Sequence, residues 1–414
     1  MDNLLVEQNP HWLGKVKAYA KRTAFAQLVS YLPLKQVITI TGIRRCGKST
    51  LAKMAIKHLI DEGVSPKNIL FVNLEQPLFL EHRHDPNYLN QVYDAYLRLC
   101  NPEGKTYVIF DEVQFFSNWQ VYVKSKYESS DIKFIITGSN SSMLSAEINT
   151  LLTGRTLTLH LNTFSFSEFL TYKGIDHGNP LALIENQVAI DIAKKEYLQW
   201  GGFYEVFSLD DPKLKKDILI SYAKNIIYRD LVPRFNLRNA EIIERLFFYL
   251  LSQSGNLLNY TQLANTFGMS DKTIKEYLGY FEDVFLFKRL DRYHNKPKER
   301  IKSVKKIYAL DNGFLAIAAK NSPSLGQALE NWVFNFLFAQ DANLSYLRDK
   351  QEIDFYSNNT LYQVAYEVDN KETYQREIKA FNEFSQPKHK CVLVTFNQLA
   401  NQLLEKNIAK LSIE

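Results

Sequence analysis

Nine consecutive residues, Gly42-Ile43-Arg44-Arg45-Cys46-Gly47-Lys48-Ser49-Thr50, constrain this chain more than any other stretch, because they fit the phosphate-loop pattern G-x-x-x-x-G-K-[ST]. The pattern carries chemistry only between a buried strand and a helix. Gln36-Val37-Ile38-Thr39-Ile40 before it is short and β-branched, and Leu51-Ala52-Lys53-Met54-Ala55-Ile56 after it reads as a helix. In that setting Gly42 and Gly47 let the backbone turn tightly enough for its N–H groups to face phosphates at a helix N-terminus, and Lys48 neutralises β- and γ-phosphate charge. The nine residues are therefore the expected ATP cradle, with Ser49 a ligand of Mg²⁺.

A second strand, Tyr107-Val108-Ile109-Phe110, ends in two carboxylates, Asp111 and Glu112. Asp111 is expected to hold the magnesium, directly or through water, and Glu112 to polarise the water that attacks the γ-phosphate. A third strand, Ile132-Lys133-Phe134-Ile135-Ile136, leads into Thr137-Gly138-Ser139-Asn140. A polar residue there can orient the attacking water; Asn140 is the first candidate and Ser139 the second, while a solvated Gly-Ser-Asn turn fits the same residues. Arg155, beside the flexible Gly154, is the candidate for stabilising charge that develops during phosphoryl transfer. Glu75, after the strand Ile69 to Leu74, either faces the γ-phosphate or is simply solvated.

These motifs, together with Thr163-Phe164-Ser165-Phe166-Ser167-Glu168-Phe169, Gly201-Gly202-Phe203-Tyr204, Tyr228-Arg229-Asp230, Lys306-Ile307-Tyr308-Ala309-Leu310-Asp311 and Glu352-Ile353-Asp354-Phe355, run along nearly the whole chain. In this combination the sequence resembles the prokaryotic AAA+ superfamily ATPases with a C-terminal region of unknown function. The resemblance implies an α/β ATPase core, a helical lid, a winged helix and a restriction-endonuclease-like terminal domain. It implies no physiological process.

At 414 residues the chain is too long for one ordinary domain and suggests about two to four. The division expected is an ATPase core over 1–165, a helical lid over 166–235, a winged helix over 236–305 and a nuclease-like domain over 306–414. No stretch approaches the ~18 uninterrupted apolar residues of a membrane helix, and the start, Met1-Asp2-Asn3-Leu4, lacks the basic and apolar regions of a signal peptide. A cytoplasmic protein with no membrane partner is expected. Cys46, Cys100 and Cys391 lie far apart and lack metal-ligand spacing, which suits a reducing compartment. Cys46 inside the loop reads as a spacer that thiol reagents could attack. The net charge of +5 identifies no partner.

Residues from about 20 to 165 alternate strand and helix, as a doubly wound parallel sheet requires. Helices are clearest over Ile190 to Trp200 and Leu214 to Tyr228, with a break at Gly178-Asn179-Pro180. Tyr260 to Phe267, Gly268-Met269-Ser270 and Asp271 to Phe285 read as helix, tight turn with Ser270 as N-cap, and helix. Lys288 to Lys306 then carries nine basic residues against Asp291 and Glu299. A basic hairpin in this position is where a wing meets phosphates, so DNA is the expected partner, through Lys296, Lys298 and Arg300; a protein-binding module with a solvated basic face is the alternative. A homo-oligomer fits either reading.

Near the C-terminus, Glu330, Asp354 and Gln363 resemble the D…(E/Q)-x-K arrangement of restriction-type nucleases, but Ala365 stands where the lysine belongs. Carboxylates and an amide alone can bind Mg²⁺ without cutting efficiently, so a degenerate site is expected.

Overall fold

The computed structural model describes residues 1–85, 87–139, 151–318, 324–368 and 371–397. They fall into two compact units, Met1–Asn162 with Asp283–Phe285, and Thr163–Glu282 with the chain from Leu286 onward.

Five strands organise the first unit: β1 (Val37–Thr41), β2 (Ile69–Asn73), β3 (Thr106–Asp111), β4 (Ile132–Gly138) and β5 (Thr156–His160). Their order is β2-β3-β4-β1-β5, and every neighbouring pair is parallel. Every residue of β1 and β4 is buried, which explains their continuous rather than alternating apolar pattern. Helices α1 (Asp2–Gln8), α2 (Ala24–Tyr31), α3 (Lys48–Asp61), α4 (Tyr88–Cys100) and α5 (Trp119–Ser129) complete the unit. One apolar core joins Val108, Phe110 and Phe134 of the sheet to Tyr96 and Trp119 of α4 and α5. Each such side chain stabilises the fold by roughly 1.5–3 kcal/mol on burial. At the open edge of β2, Asn9 uses its amide as a strand would, accepting from Phe71 N at 2.6 Å and donating to Phe71 O at 2.9 Å. Lys133, the second residue of β4, is buried because its ammonium donates to Tyr31 O and Leu34 O at 2.8 and 2.6 Å, satisfying carbonyls at the end of α2 and just beyond it. Burial pushes this ammonium down to about 8.

Parallel pairing decides where the chemistry lies. Thr41 pairs with Gly138 and Phe110 with Ile136, so the C-terminal ends of β1, β3 and β4 emerge together. The glycine loop, the Asp111-Glu112 pair and Ser139 follow those three ends.

The second unit begins with helices. Ser165 and Glu168 form a reciprocal capping box at the start of α6 (Phe166–Tyr172). The break expected at Gly178-Asn179-Pro180 is present: Asn179 accepts from Ala182 N and Pro180 opens α7 (Pro180–Glu185). Then come α8 (Gln187–Trp200) and α9 (Pro212–Asn225), the latter continuing into a π-helical turn over Ile226–Leu231. After α10 (Ala240–Leu251), the helix-turn-helix pattern appears as α11 (Tyr260–Phe267), left-handed Gly268 and α12 (Asp271–Asp283), with Ser270 Oγ accepting from Thr273 N at 3.1 Å.

A six-stranded mixed sheet follows: β6 (Phe287–Arg292), β7 (Lys306–Ala309), β8 (Ser345–Arg348), β9 (Glu352–Ser357), β10 (Thr360–Ala365) and β11 (Lys390–Thr395), in the order β11-β10-β9-β8-β6-β7. A short helix, α13 (Pro297–Lys302), joins the antiparallel β6 and β7, and β6 also pairs with β8. The sheet therefore runs across the division expected at 305/306. The helical segment expected as a lid shares this core, since α8 and α9 pack on the 3-10 turn Asn312–Ile317 that follows β7. Buried amides tie the region together: Asn312 donates to Leu198 O and Ala328 O, and Asn331 of α14 (Leu325–Gln340) donates to Ala309 O and Asn312 Oδ1. Helix α15 (Lys371–Phe384) precedes β11.

Candidate nucleotide site

The phosphate loop takes its shape from its glycines. Gly42 sits at φ 149°, and a Cβ there would lie 2.1 Å from Leu161 O, so no side chain fits. Gly47, at φ 101°, caps the N-terminus of α3. Arg45 adopts φ 73° without being glycine, a conformation that costs on the order of 1–3 kcal/mol and clusters at functional sites. Lys48 opens α3 and is buried; its ammonium donates to Gly42 O and Ile43 O at 3.1 and 3.2 Å and stands 3.8 Å from Glu112 Oε1. Cys46 is buried, and burial pushes its thiol up, away from the reactive thiolate. It is a buried residue of the loop, not an exposed one.

The two carboxylates play different parts. Asp111 accepts from Thr137 Oγ1 at 2.6 Å and is hydrogen-bonded by Ser49. Burial, then the charge of Glu112, raise its carboxyl above the usual range, while Thr137, Ser49 and Lys48 work the other way. A hydroxyl and a carboxylate meeting under that repulsion suit a hard, oxygen-seeking cation, so Ser49 and Asp111 fit Mg²⁺. Glu112 stands at φ 57°, a second strained non-glycine residue, and its N–H donates to Thr137 Oγ1 at 3.0 Å. Gln114 Nε2 donates to Glu112 Oε2 and, at 2.9 Å, to Ser139 Oγ.

Several candidates come together here and others do not. Ser139 is buried beside the Glu112–Gln114 pair, whereas Asn140 lies outside the described residues. Glu75, partly exposed, pairs with Arg44 of the loop at 2.6 Å. The role expected of Arg155 is corrected within a single chain. Its carbonyl accepts from Val37 N where β1 begins, at the end of the strand opposite the loop, and its guanidinium is bonded to Glu128 at 2.6 Å. Parallel strands carry the two ends of β1 apart by about 3.3 Å per residue. Sequence reasoning gave no role to Gln114, although it closes the Phe110-Asp111-Glu112-Val113-Gln114 strand end, and it missed Arg22, which donates at 2.7 Å to Cys46 O of the loop and at 2.7 Å to Asn162 O and carries no local motif.

Comparison with known proteins identifies the domain that holds this loop. Residues 34–170 match a family described as an AAA domain, and residues 193–325 match a domain of unknown function. An uncharacterized protein of Haemophilus influenzae is 30% identical over 353 residues, covering 83% of this chain and 85% of the relative. An uncharacterized protein of Methanocaldococcus jannaschii is 32% identical over 367 residues, covering 85% and 79%. The chain belongs to the family of these two relatives, with an AAA domain over residues 34–170. Among solved structures, a Walker-type ATPase of Pyrococcus abyssi superposes with a TM-score of 0.47 at 13% identity, over 72% of this chain and 95% of that one.

The second unit bears on two expectations. The first concerns the acidic residues near the C-terminus. Glu330, Glu352 and Asp354 all face one buried ammonium, Lys306 Nζ, at 3.2, 2.7 and 3.6 Å. Tyr308 donates to Glu330 at 2.7 Å, Val364 N to Asp354 Oδ2 at 2.8 Å, and Asp354 N to Gln363 Oε1 at 3.4 Å. A lysine absent at position 365 is thus supplied from β7, but it sits on the acids rather than beside them. Burial opposes its charge, yet Glu330, Asp354 and Glu352 hold it above the usual lysine range. No group of three or more His, Cys, Asp or Glu among the described residues could hold a metal ion. The second concerns the basic segment. Lys306 is interior, Arg289 pairs with Glu282, and Arg300 and Lys305 share Asp291. Lys296, Lys298 and Lys302 remain exposed around α13. Among the described residues no helix is long and apolar enough to cross a membrane.

Proposed function

We propose that this protein binds ATP with Mg²⁺, hydrolyses it, and uses its nucleotide state to control the second unit, which contacts DNA. One observation carries the hydrolytic part: Lys48 and Glu112 stand 3.8 Å apart at the ends of neighbouring elements, with Asp111, Ser49 and Thr137 beside them. Lys48 exchanges its carbonyl partners Gly42 and Ile43 for phosphate oxygens. Glu112, no longer facing that ammonium, accepts a proton from water as the water oxygen bonds to the γ-phosphorus. The bond from that phosphorus to the bridging oxygen breaks, and its electron pair leaves on ADP. Held by Ser49 and Asp111, Mg²⁺ would neutralise charge on the β- and γ-phosphates.

DNA contact rests on the helix-turn-helix α11–α12 followed by the exposed Lys296 and Lys298, in the place of a wing. The acidic cluster around Lys306 serves as structure, a degenerate nuclease-like site. A second reading, a slow ATPase switch that binds a protein, is favoured by a separate observation. Leu181, Ile184, Val188 and Ile192 form an apolar run along α7 and α8, each 64–75% exposed.

The test is ATP turnover with and without duplex and single-stranded DNA, in the wild type and Glu112→Gln. The variant should hold ATP and fail to turn it over. Near-wild-type turnover in the variant overturns the assignment of Glu112. Turnover and binding indifferent to DNA at low salt move the reading to the protein-binding switch.

A further inference from the structure

The side chain that fixes Glu112 follows it by two residues, on the 3-10 turn Val113–Phe115 that succeeds β3. Gln114 Nε2 makes two contacts at once, to Glu112 Oε2 and to Ser139 Oγ at 2.9 Å. It therefore joins the ends of β3 and β4, two strands paired in register, through a single amide. Its other atom, Oε1, is buried and accepts no hydrogen bond among the described residues. An amide whose donor is committed to a carboxylate and a hydroxyl keeps that acceptor in a fixed direction.

We infer that Gln114 is the positioning residue for ATP hydrolysis: it holds Glu112 in the rotamer that takes the proton from water. The inference rests on the hydrolytic reading above. Lys48 and Gln114 engage the two oxygens of Glu112, one each. When Lys48 turns to the phosphates, Gln114 is the contact that remains. Without it, a carboxylate on a strained backbone at φ 57° is free to leave the direction of attack. Ser139 acts through the same amide, so removing the amide also removes the contribution of Ser139.

The test compares Gln114→Ala, Gln114→Met and Ser139→Ala with wild type. Methionine keeps the volume of glutamine and lacks both its donor and its acceptor. Both Gln114 variants should lose on the order of tenfold to a hundredfold in kcat, the range of a misplaced general base, with KM unchanged. Equilibrium affinity for a fluorescent ADP, measured with and without Mg²⁺, should stay within twofold of wild type and report an intact loop. Adding Ser139→Ala to Gln114→Met should cost nothing further. Wild-type kcat in Gln114→Met overturns the inference, because packing alone would then explain the residue; so does additive loss in the double variant. Absence of turnover by the wild type itself is a different result, one that removes the hydrolytic reading.

Discussion

Lys48 in the first unit and Lys306 in the second are both buried and face carboxylates, and they are built for opposite purposes. Lys48 and Lys306 are each 3% exposed. Lys48 leans on two backbone carbonyls and stands 3.8 Å from its nearest carboxylate partner, on a glycine loop at a helix N-terminus. Those partners are neutral or distant, so a phosphate outcompetes them. Lys306 touches Glu330, Glu352 and Asp354 within 3.6 Å, as the first residue of a fully buried strand. A ligand would have to replace several charge-assisted contacts at once. The same residue types make an exchangeable site in one case and a permanent cross-link in the other, and the difference lies in what already satisfies the ammonium.

The largest test of this contrast is Lys306→Met. Removing one partner of a buried ion cluster leaves uncompensated charge, so the second unit should lose about 3–5 kcal/mol in urea unfolding while nucleotide affinity is kept. Adding Glu352→Gln should restore part of that loss; full stability of the single variant would show that the cluster is solvated. Next in size is Lys48→Ala, expected to weaken equilibrium nucleotide binding by about a hundredfold, or 2.7 kcal/mol, with little change in unfolding midpoint. A destabilisation as large as that of Lys306→Met would erase the distinction between the two lysines.

The proposed structural role of the acidic cluster predicts no cutting. The protein should leave supercoiled and linear DNA intact in Mg²⁺ or Mn²⁺, and cleavage abolished by Asp354→Ala would show a working nuclease. The smallest effect expected is on DNA affinity. Changing Lys296, Lys298 and Arg300 together to Ala should lower the log-log salt slope by nearer two phosphate contacts than three, at roughly 0.9 each, because Arg300 is already engaged by Asp291. An unchanged slope would place the phosphates elsewhere.

Much of this was legible without coordinates because its causes are local. The glycine loop, the Asp111-Glu112 strand end, the break at Gly178-Asn179-Pro180, the Ser270 cap and the helix-turn-helix all follow from residues within about four positions of each other, the reach of helical and turn hydrogen bonding. Even a long-range feature, the meeting of loop and carboxylates, was readable, since buried parallel strands present their C-terminal ends together. What the sequence concealed depends on partners far apart along the chain. Arg22 reaches Asn162, Gln114 reaches Ser139, and Thr163 Oγ1 donates to buried Asp311 at 2.6 Å. The basic count over Lys288 to Lys306 treated interior and exterior lysines alike. Only the pairing of β6 with both β7 and β8 turned Lys306 inward, tied Arg300 to Asp291 and left Lys296 and Lys298 in solvent. Charge and motif belong to the sequence by itself; which charges are spent inside the protein is decided by strand order, because burial makes an unpaired charge too costly to leave alone.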